Sequence, residues 1–330
     1  MYNLSELFNR TKARTFIVAE IGINHGGNYE YAKELIEKAK ESGADAVKFQ
    51  IFKTEKFYNP LLAKGAYELF KSLELSYENY QKLRDFAESL DLIFFATPLD
   101  LDSLYFLNEI NTPIFKIASS DITCEPFLKE VSDVAKKSQK IVFLSTGFAK
   151  MKTIKRAVSF FENVNLALLY CVSKYPVEAK DIDLNVINTF KEKFQMPIGF
   201  SDHSLSYIFD IAAVSLGAKI IEKHFTTDNT INSLDHPISL NPENFKKMVD
   251  AIREIEIATK SGKKELTDFE KEIIPLSMRE MYFARDIKKG EKIKKEDILL
   301  LRPGTGVKIE KYKSLINKKL KTDKQKYEKV

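Results

Sequence analysis

The chain has 330 residues, 44% of them hydrophobic and 30% charged, with 12 Gly, 10 Pro and no Trp. That apolar share suffices for a large buried core and excludes a wholly disordered chain, and no apolar run approaches the roughly 18 residues that cross a bilayer. Net charge is +5, unevenly spread: from Met281 onward there are 16 basic and 7 acidic residues. A basic tail admits a nucleic-acid partner, but no aromatic-interleaved basic stretch or nucleic-acid motif accompanies it, so it reads as a solvated lysine-rich surface. The first fifteen residues lack the apolar core of a secretory signal. The two cysteines, Cys124 and Cys171, stand outside any CxxC spacing and make no disulfide framework. The expected compartment is the cytoplasm, with no membrane partner.

Eight short apolar runs follow one another along the chain: FIVAEIG (16–22), ADAVKFQ (44–50), LIFFATP (92–98), IFKIAS (114–119), KIVFLST (140–146), LALLYCV (166–172), MPIGFSD (196–202) and KIIEKHF (219–225). Each is nearly continuous, as strands buried on both faces of a parallel sheet are. Segments with helical spacing separate them. In 31–42, Ala32, Leu35, Ile36 and Ala39 share a face; in 241–259, Phe245, Met248, Val249, Ile252 and Ile255 do. Strand and helix alternating eight times predict a (β/α)8 barrel, an α/β fold, over residues 1–265. An open doubly wound sheet is the competing architecture, weakened by the absence of a GxGxxG turn after the first run. The polar stretch 266–280 reads as a linker. Residues 281–330 hold short apolar pieces broken by KKG, RPG and GTG, the pattern of a small, turn-rich, mostly β domain.

A barrel of this kind carries its active site at the C-terminal ends of its strands. Those ends read Glu20; Lys48 with Gln50; Thr97; Lys116 with Ser119; Ser145 with Thr146; Cys171 with Ser173; Ser201 with His203; and Glu222 with His224. The chain has only 4 histidines, and two of them, His203 and His224, close adjacent strands. Two imidazoles so placed suit one divalent cation with open positions, Mn²⁺, Co²⁺, Fe²⁺ or Zn²⁺. Lys48 and Lys116 lie inside apolar strands, where an ammonium group needs an anion. With the hydroxyls of Thr97, Ser119, Ser145 and Ser201 they suit a phosphate and a carboxylate. A buried ion pair with Glu20 or Glu222 is the structural alternative.

AEIGINHGG, VKFQ, ATPLD, KIASSD, LSTG, CVSKYP, GFSDHS, EKHFT and RPGTGV occur in this order. With them the chain resembles the bacterial sialic acid synthase family, the N-acetylneuraminate synthases and their legionaminate and pseudaminate relatives, over about residues 15–320. The resemblance implies a (β/α)8 barrel followed by an antifreeze-like (SAF) domain, condensing phosphoenolpyruvate with an N-acetylated hexosamine. It implies that His203 and His224 bind the metal, usually Mn²⁺. It implies that Lys48, Thr97, Lys116, Ser119, Ser145 and Ser201 bind phosphoenolpyruvate and that Glu20 is the essential acid. Gln50, Ser173, Tyr175 and Asp235 match positions around the sugar. Arg302 matches an arginine that the antifreeze-like domain inserts into a partner's site, which implies a swapped homodimer. SLDH at 233–236, Lys174 and GFAK depart from the family's commoner residues and bear on which sugar is used; His236 leans toward the neuraminate and legionaminate branches. A metal-dependent aldolase or isomerase working without phosphoenolpyruvate is the alternative activity, but it needs neither strand-end lysine.

Overall fold

The computed structural model describes residues 15–259 and 262–330, in two compact units divided between Lys260 and Ser261. In the first unit eight parallel strands close a barrel in the order β1 to β8. They are β1 (Phe16–Gly22), β2 (Ala46–Ile51), β3 (Ile93–Pro98), β4 (Ile114–Ile117), β5 (Ile141–Ser145), β6 (Asn165–Cys171), β7 (Ile198–Asp202) and β8 (Ile220–His224). Each lies within one of the eight apolar runs or overlaps it to within a residue. Helices connect them on the outside. Asn28 caps the first, Tyr29–Glu41, by accepting from Tyr31 N, and Asn241 caps the last, Pro242–Ala258, by accepting from Asn244 N. Between β2 and β3 the chain makes three helices rather than one, Thr54–Phe57, Lys64–Leu73 and Tyr77–Ser89.

Alternation along each strand sorts the core into two shells. Outward residues such as Ile17, Val47, Phe94, Phe115, Leu168 and Phe200 pack against the helices. Inward residues at the lower end fill the barrel: Phe16, Val18, Phe95, Phe143 and Leu169, with Ile114, Ile141 and Ile220. Phe143 meets Phe16 and Phe95 edge-on, at centroid distances of 6.2 and 5.7 Å. One layer higher the inward positions become polar, because Glu20 lies beside Lys48 and His224 in the sheet register, and Ser201 beside Glu222.

The second unit pairs β9 (Glu280–Phe283) antiparallel with β10 (Ile298–Leu301) over a small core of Met281, Phe283, Ile287, Ile293 and Ile298. The stretch 266–280, expected as a linker, holds a helix, Asp268–Ser277. Thr267 and Glu270 explain it: each side chain caps the other's backbone N–H, a capping box that starts the helix within a polar sequence. Among the described residues no helix is long and apolar enough to cross a membrane.

Candidate active site

The upper layer lines a cavity at the C-terminal end of the barrel. Glu20, Lys48, Gln50, Thr97, Lys116 and Ser119 contribute from β1 to β4 and the turns after them; Ser145, Ser173, Tyr175, Ser201, His203 and His224 contribute from β5 to β8. Asp235, in the loop after β8, comes in beside them, with Oδ2 3.8 Å from His224 Nδ1. The remaining expected residue, Arg302, belongs to the second unit, where it is exposed just past β10.

The cavity floor is a charge network. Lys48 Nζ is 2.8 Å from Glu20 Oε2 and 3.7 Å from Glu222 Oε1, and it donates to Thr97 Oγ1 at 3.1 Å. Lys116 Nζ is 3.8 Å from Glu222 Oε1 and donates to Ser145 Oγ at 2.7 Å and to the Ile117 carbonyl at 3.1 Å. Ser201 Oγ donates to Glu222 Oε1 at 2.9 Å. The structural alternative for the lysines is observed: both are ion-paired with buried carboxylates, and both line the cavity. Glu222 bridges the two, a role the strand-end pattern located without assigning. Two residues before His224 on the same inward face is the signal that finds it.

Burial sets the protonation of this layer. It pushes the Glu20 carboxyl up to about 7, partly opposed by Lys48 and reinforced by Glu222. On Glu222 burial works the same way, but Lys116 and Lys48 outweigh it and hold the carboxylate below its ordinary range. Burial likewise opposes the charge on Lys48, yet Glu20 and Glu222 overcome it, whereas on Lys116 burial prevails and lowers the ammonium. The carboxylates thus hold the charge on Lys48, whereas burial makes Lys116 the easier of the two to neutralise.

Two glycines let side chains converge. Gly22 has φ +56°, and a Cβ there would sit 3.1 Å from Glu20 Oε1, 3.4 Å from Asp235 Oδ2 and 3.5 Å from Gln50 Nε2. A Cβ at Gly147 would meet Ser173 Oγ at 2.1 Å and Ser119 Oγ at 2.7 Å, while its own N–H donates to Ser119 Oγ at 3.0 Å.

The histidines suit a divalent cation. Their ring centroids are 5.6 Å apart. His203 Nδ1 lies 2.8 Å from the Val172 carbonyl, which places the proton there and makes Nε2 an acceptor, to which the Tyr175 hydroxyl donates at 3.2 Å. His224 Nδ1 is buried without a hydrogen-bond partner, and burial holds that ring well below its ordinary pKa, in the neutral form a metal requires. Burial favours neutral His203 too, but the neighbouring Cys171 thiol, 3.9 Å from Nδ1, outweighs it and draws the ring upward. Burial raises Asp235 to about 6. Among the described residues no group of three or more His, Cys, Asp or Glu is placed to hold a metal ion, so the two imidazoles are the only pair offered as donors here.

The other two histidines are elsewhere. His25 is fully buried between Phe49 and Tyr80, accepts from Gly27 N at 3.1 Å and stays outside the cavity. His236 stacks on Tyr31 and lies 2.6 Å from Thr226 Oγ1, tying down the loop after β8. Sequence reasoning missed the apolar side of the cavity, Phe57, Phe70, Leu99 and Phe148. The first two come from the extra helices between β2 and β3, and join Phe52 and Tyr58 in an aromatic cluster.

Residues 35–264 match the model of the NeuB family and residues 281–326 that of the SAF domain. An uncharacterized protein of Methanocaldococcus jannaschii is 43% identical over 94% of this chain and 91% of its own. The N,N'-diacetyllegionaminic acid synthase of Legionella pneumophila is 38% identical over 92% of this chain and 90% of its own. The crystal structure of the N-acetylneuraminic acid synthetase of Leptospira borgpetersenii, in complex with citrate, superposes with a TM-score of 0.74 at 38% identity, covering 79% of this chain and 90% of that one.

Proposed function

The chain belongs to the NeuB family of sialic-acid-type synthases, and from that premise we propose that it condenses phosphoenolpyruvate with an N-acetylated hexosamine, giving a nine-carbon 2-keto sugar acid and phosphate. The observation that carries this reading is the pair of buried ammonium groups on the cavity floor, surrounded by the hydroxyls of Thr97, Ser119, Ser145 and Ser201. Two cations fixed by packing suit a ligand with two anionic ends, a phosphate and a carboxylate. An aldolase working without that ligand has no need of two strand-end lysines on the cavity floor.

Lys48 and Lys116 hold the enol phosphate in line with the acceptor aldehyde, an orientation effect. His203 and His224 would hold a divalent cation, Mn²⁺ by the resemblance, which would supply Lewis-acid polarisation of that aldehyde. The enol carbon C3 attacks the carbonyl carbon, and the carbonyl oxygen takes up a proton to become a hydroxyl. Positive charge develops at C2, water adds there, and phosphate leaves with the electrons of the C2–O bond. Glu20, poised near neutrality, takes the proton of that water. Gln50, Ser173, Tyr175 and Asp235 hydrogen-bond the sugar.

The acceptor is N-acetylmannosamine or a dideoxy-diacetamido relative. Phe57, Phe70 and Leu99 support a substrate that turns acetamido methyls or a deoxy carbon toward them. Arg302 reaches the site of a second copy, making a swapped homodimer. Exposed Leu61, Leu62, Leu205 and Leu234, on the loops after β2, β7 and β8, are the apolar surface such a copy would cover.

The test is incubation of the purified protein with phosphoenolpyruvate, Mn²⁺ and a panel of N-acetyl hexosamines, following phosphate. Sugar-dependent release is expected; turnover of a sugar with phosphoenolpyruvate untouched would put the aldolase or isomerase in its place. For Arg302, inactive Arg302→Ala and Glu20→Ala proteins are mixed under conditions that exchange subunits. Regained activity, up to about a quarter of sites by random pairing, shows the arginine working in trans; no regain despite exchange puts it in cis.

A further inference from the structure

On the outer face of β7 and β8 lies a second charge cluster that no substrate touches. Side chains alternate along a strand, so the neighbours of inward-facing His203 and His224 face the helix layer. Those neighbours are Asp202 and Lys223, and they are register partners across β7 and β8. Lys223 is 0% exposed. Its ammonium group pairs with Asp202 Oδ2 and donates to the Ser204 carbonyl at 2.7 Å, the Ser206 carbonyl at 3.0 Å and Ser204 Oγ at 3.3 Å. Asp202 in turn accepts from Ser204 N at 2.9 Å and Ser204 Oγ at 2.8 Å. Asp210 Oδ2, on the helix Ile208–Ser215, is 3.7 Å from the ammonium group, and burial keeps that carboxyl well above its ordinary range.

Stability alone is a poor reason for such a pair. Desolvating two full charges costs several kcal/mol per ion, and apolar residues of similar volume often serve as well. What apolar residues cannot do is grip carbonyl groups in fixed directions. Every hydrogen bond that the Lys223 side chain donates beyond Asp202 ends on Ser204 or Ser206, in the loop that begins at His203, while its own backbone carries His224 as the next residue. The side chain ties the loop of one imidazole to the strand of the other.

We infer that the Asp202–Lys223 pair is a positioning device that fixes the spacing of His203 and His224, so that a divalent cation meets a preformed pair of donors. The inference rests on the metal reading given above. Outer partners of metal ligands, when removed, cost roughly 10- to 100-fold in metal affinity, and each member of this pair immediately precedes one of the two histidines in the chain.

The experiment measures Mn²⁺ affinity by electron paramagnetic resonance in Lys223→Met, in the double variant Lys223→Met/Asp202→Asn, and in the unaltered protein. Circular dichroism establishes folding at the temperature used. The double variant removes both members of the pair together and keeps the question open to measurement if the single one fails to fold. The expected result is Mn²⁺ binding weakened on the order of 10-fold or more in the folded variant, with kcat partly restored by excess Mn²⁺. A folded variant with lower thermal stability and unaltered Mn²⁺ affinity overturns the inference and leaves the metal reading standing. An unaltered protein that takes up no Mn²⁺ overturns both.

Discussion

Inside the barrel, two regions on the same eight strands differ by one step of the alternation. Below, Phe16, Val18, Phe95 and Phe143 fill the interior with edge-on aromatic contacts. Above, Glu20, Lys48, Lys116 and Glu222 occupy the same inward-facing columns. Both layers are buried, yet burial acts oppositely on them. In the lower layer it stabilises through apolar area removed from water. In the upper layer it opposes each charge, drives Glu20 to about 7 and depresses Lys116, and so holds chemical potential at the cavity floor. The strands spend stability gained in one layer on reactivity in the next, which predicts that substitutions two residues apart act on different observables.

Four measurements break or sharpen that contrast. The largest effect belongs to the metal pair: His203→Ala or His224→Ala should reduce turnover by more than about 1,000-fold, since a Lewis acid is worth several kcal/mol of barrier, while circular dichroism shows an intact barrel. In the lower layer, Phe143→Ala should cost about 3–5 kcal/mol of unfolding free energy in a denaturant titration, with kcat per folded molecule unchanged. A selective loss of catalysis there would dissolve the distinction between the layers. Lys48→Ala and Lys116→Ala should each raise the KM for phosphoenolpyruvate, on the order of 10- to 150-fold, the value of one charge-assisted contact. Loss of sugar affinity instead would reverse the assignment.

The smallest effect is a pH dependence. A carboxyl raised from about 4.5 unfolded to about 7 folded binds a proton in the native state that the unfolded chain has already lost. Its stabilising contribution is complete below the unfolded value and disappears as pH rises through the folded value. The thermal midpoint measured in chelator should therefore fall between pH 5 and pH 8, on the order of 5 °C, and Glu20→Gln should flatten that fall. A midpoint that rises with pH in the unaltered protein, or the same slope in both, would show that another group governs it.

The sequence by itself determined the eight strands, because each is buried on both faces and so reads as one continuous apolar run, and it marked the upper layer, because a Lys, Glu or His inside such a run is costly to bury without a partner. The nine ordered motifs set the family. What only the tertiary structure decided is how those polar residues are shared out. Glu222 serves both lysines, Lys223 faces outward to clamp the loop that begins at His203, and His25 packs away from the cavity despite its place in a motif. The helix inside the expected linker and the aromatic side of the cavity likewise appeared only in space, the first from a capping box, the second from helices that leave the strand–helix alternation. The physical reason is common to these cases. Periodicity tells whether a residue is buried, but the face it is buried on and the partner it meets there depend on strand register and closure of the barrel, which bring together residues some 20 to 200 positions apart.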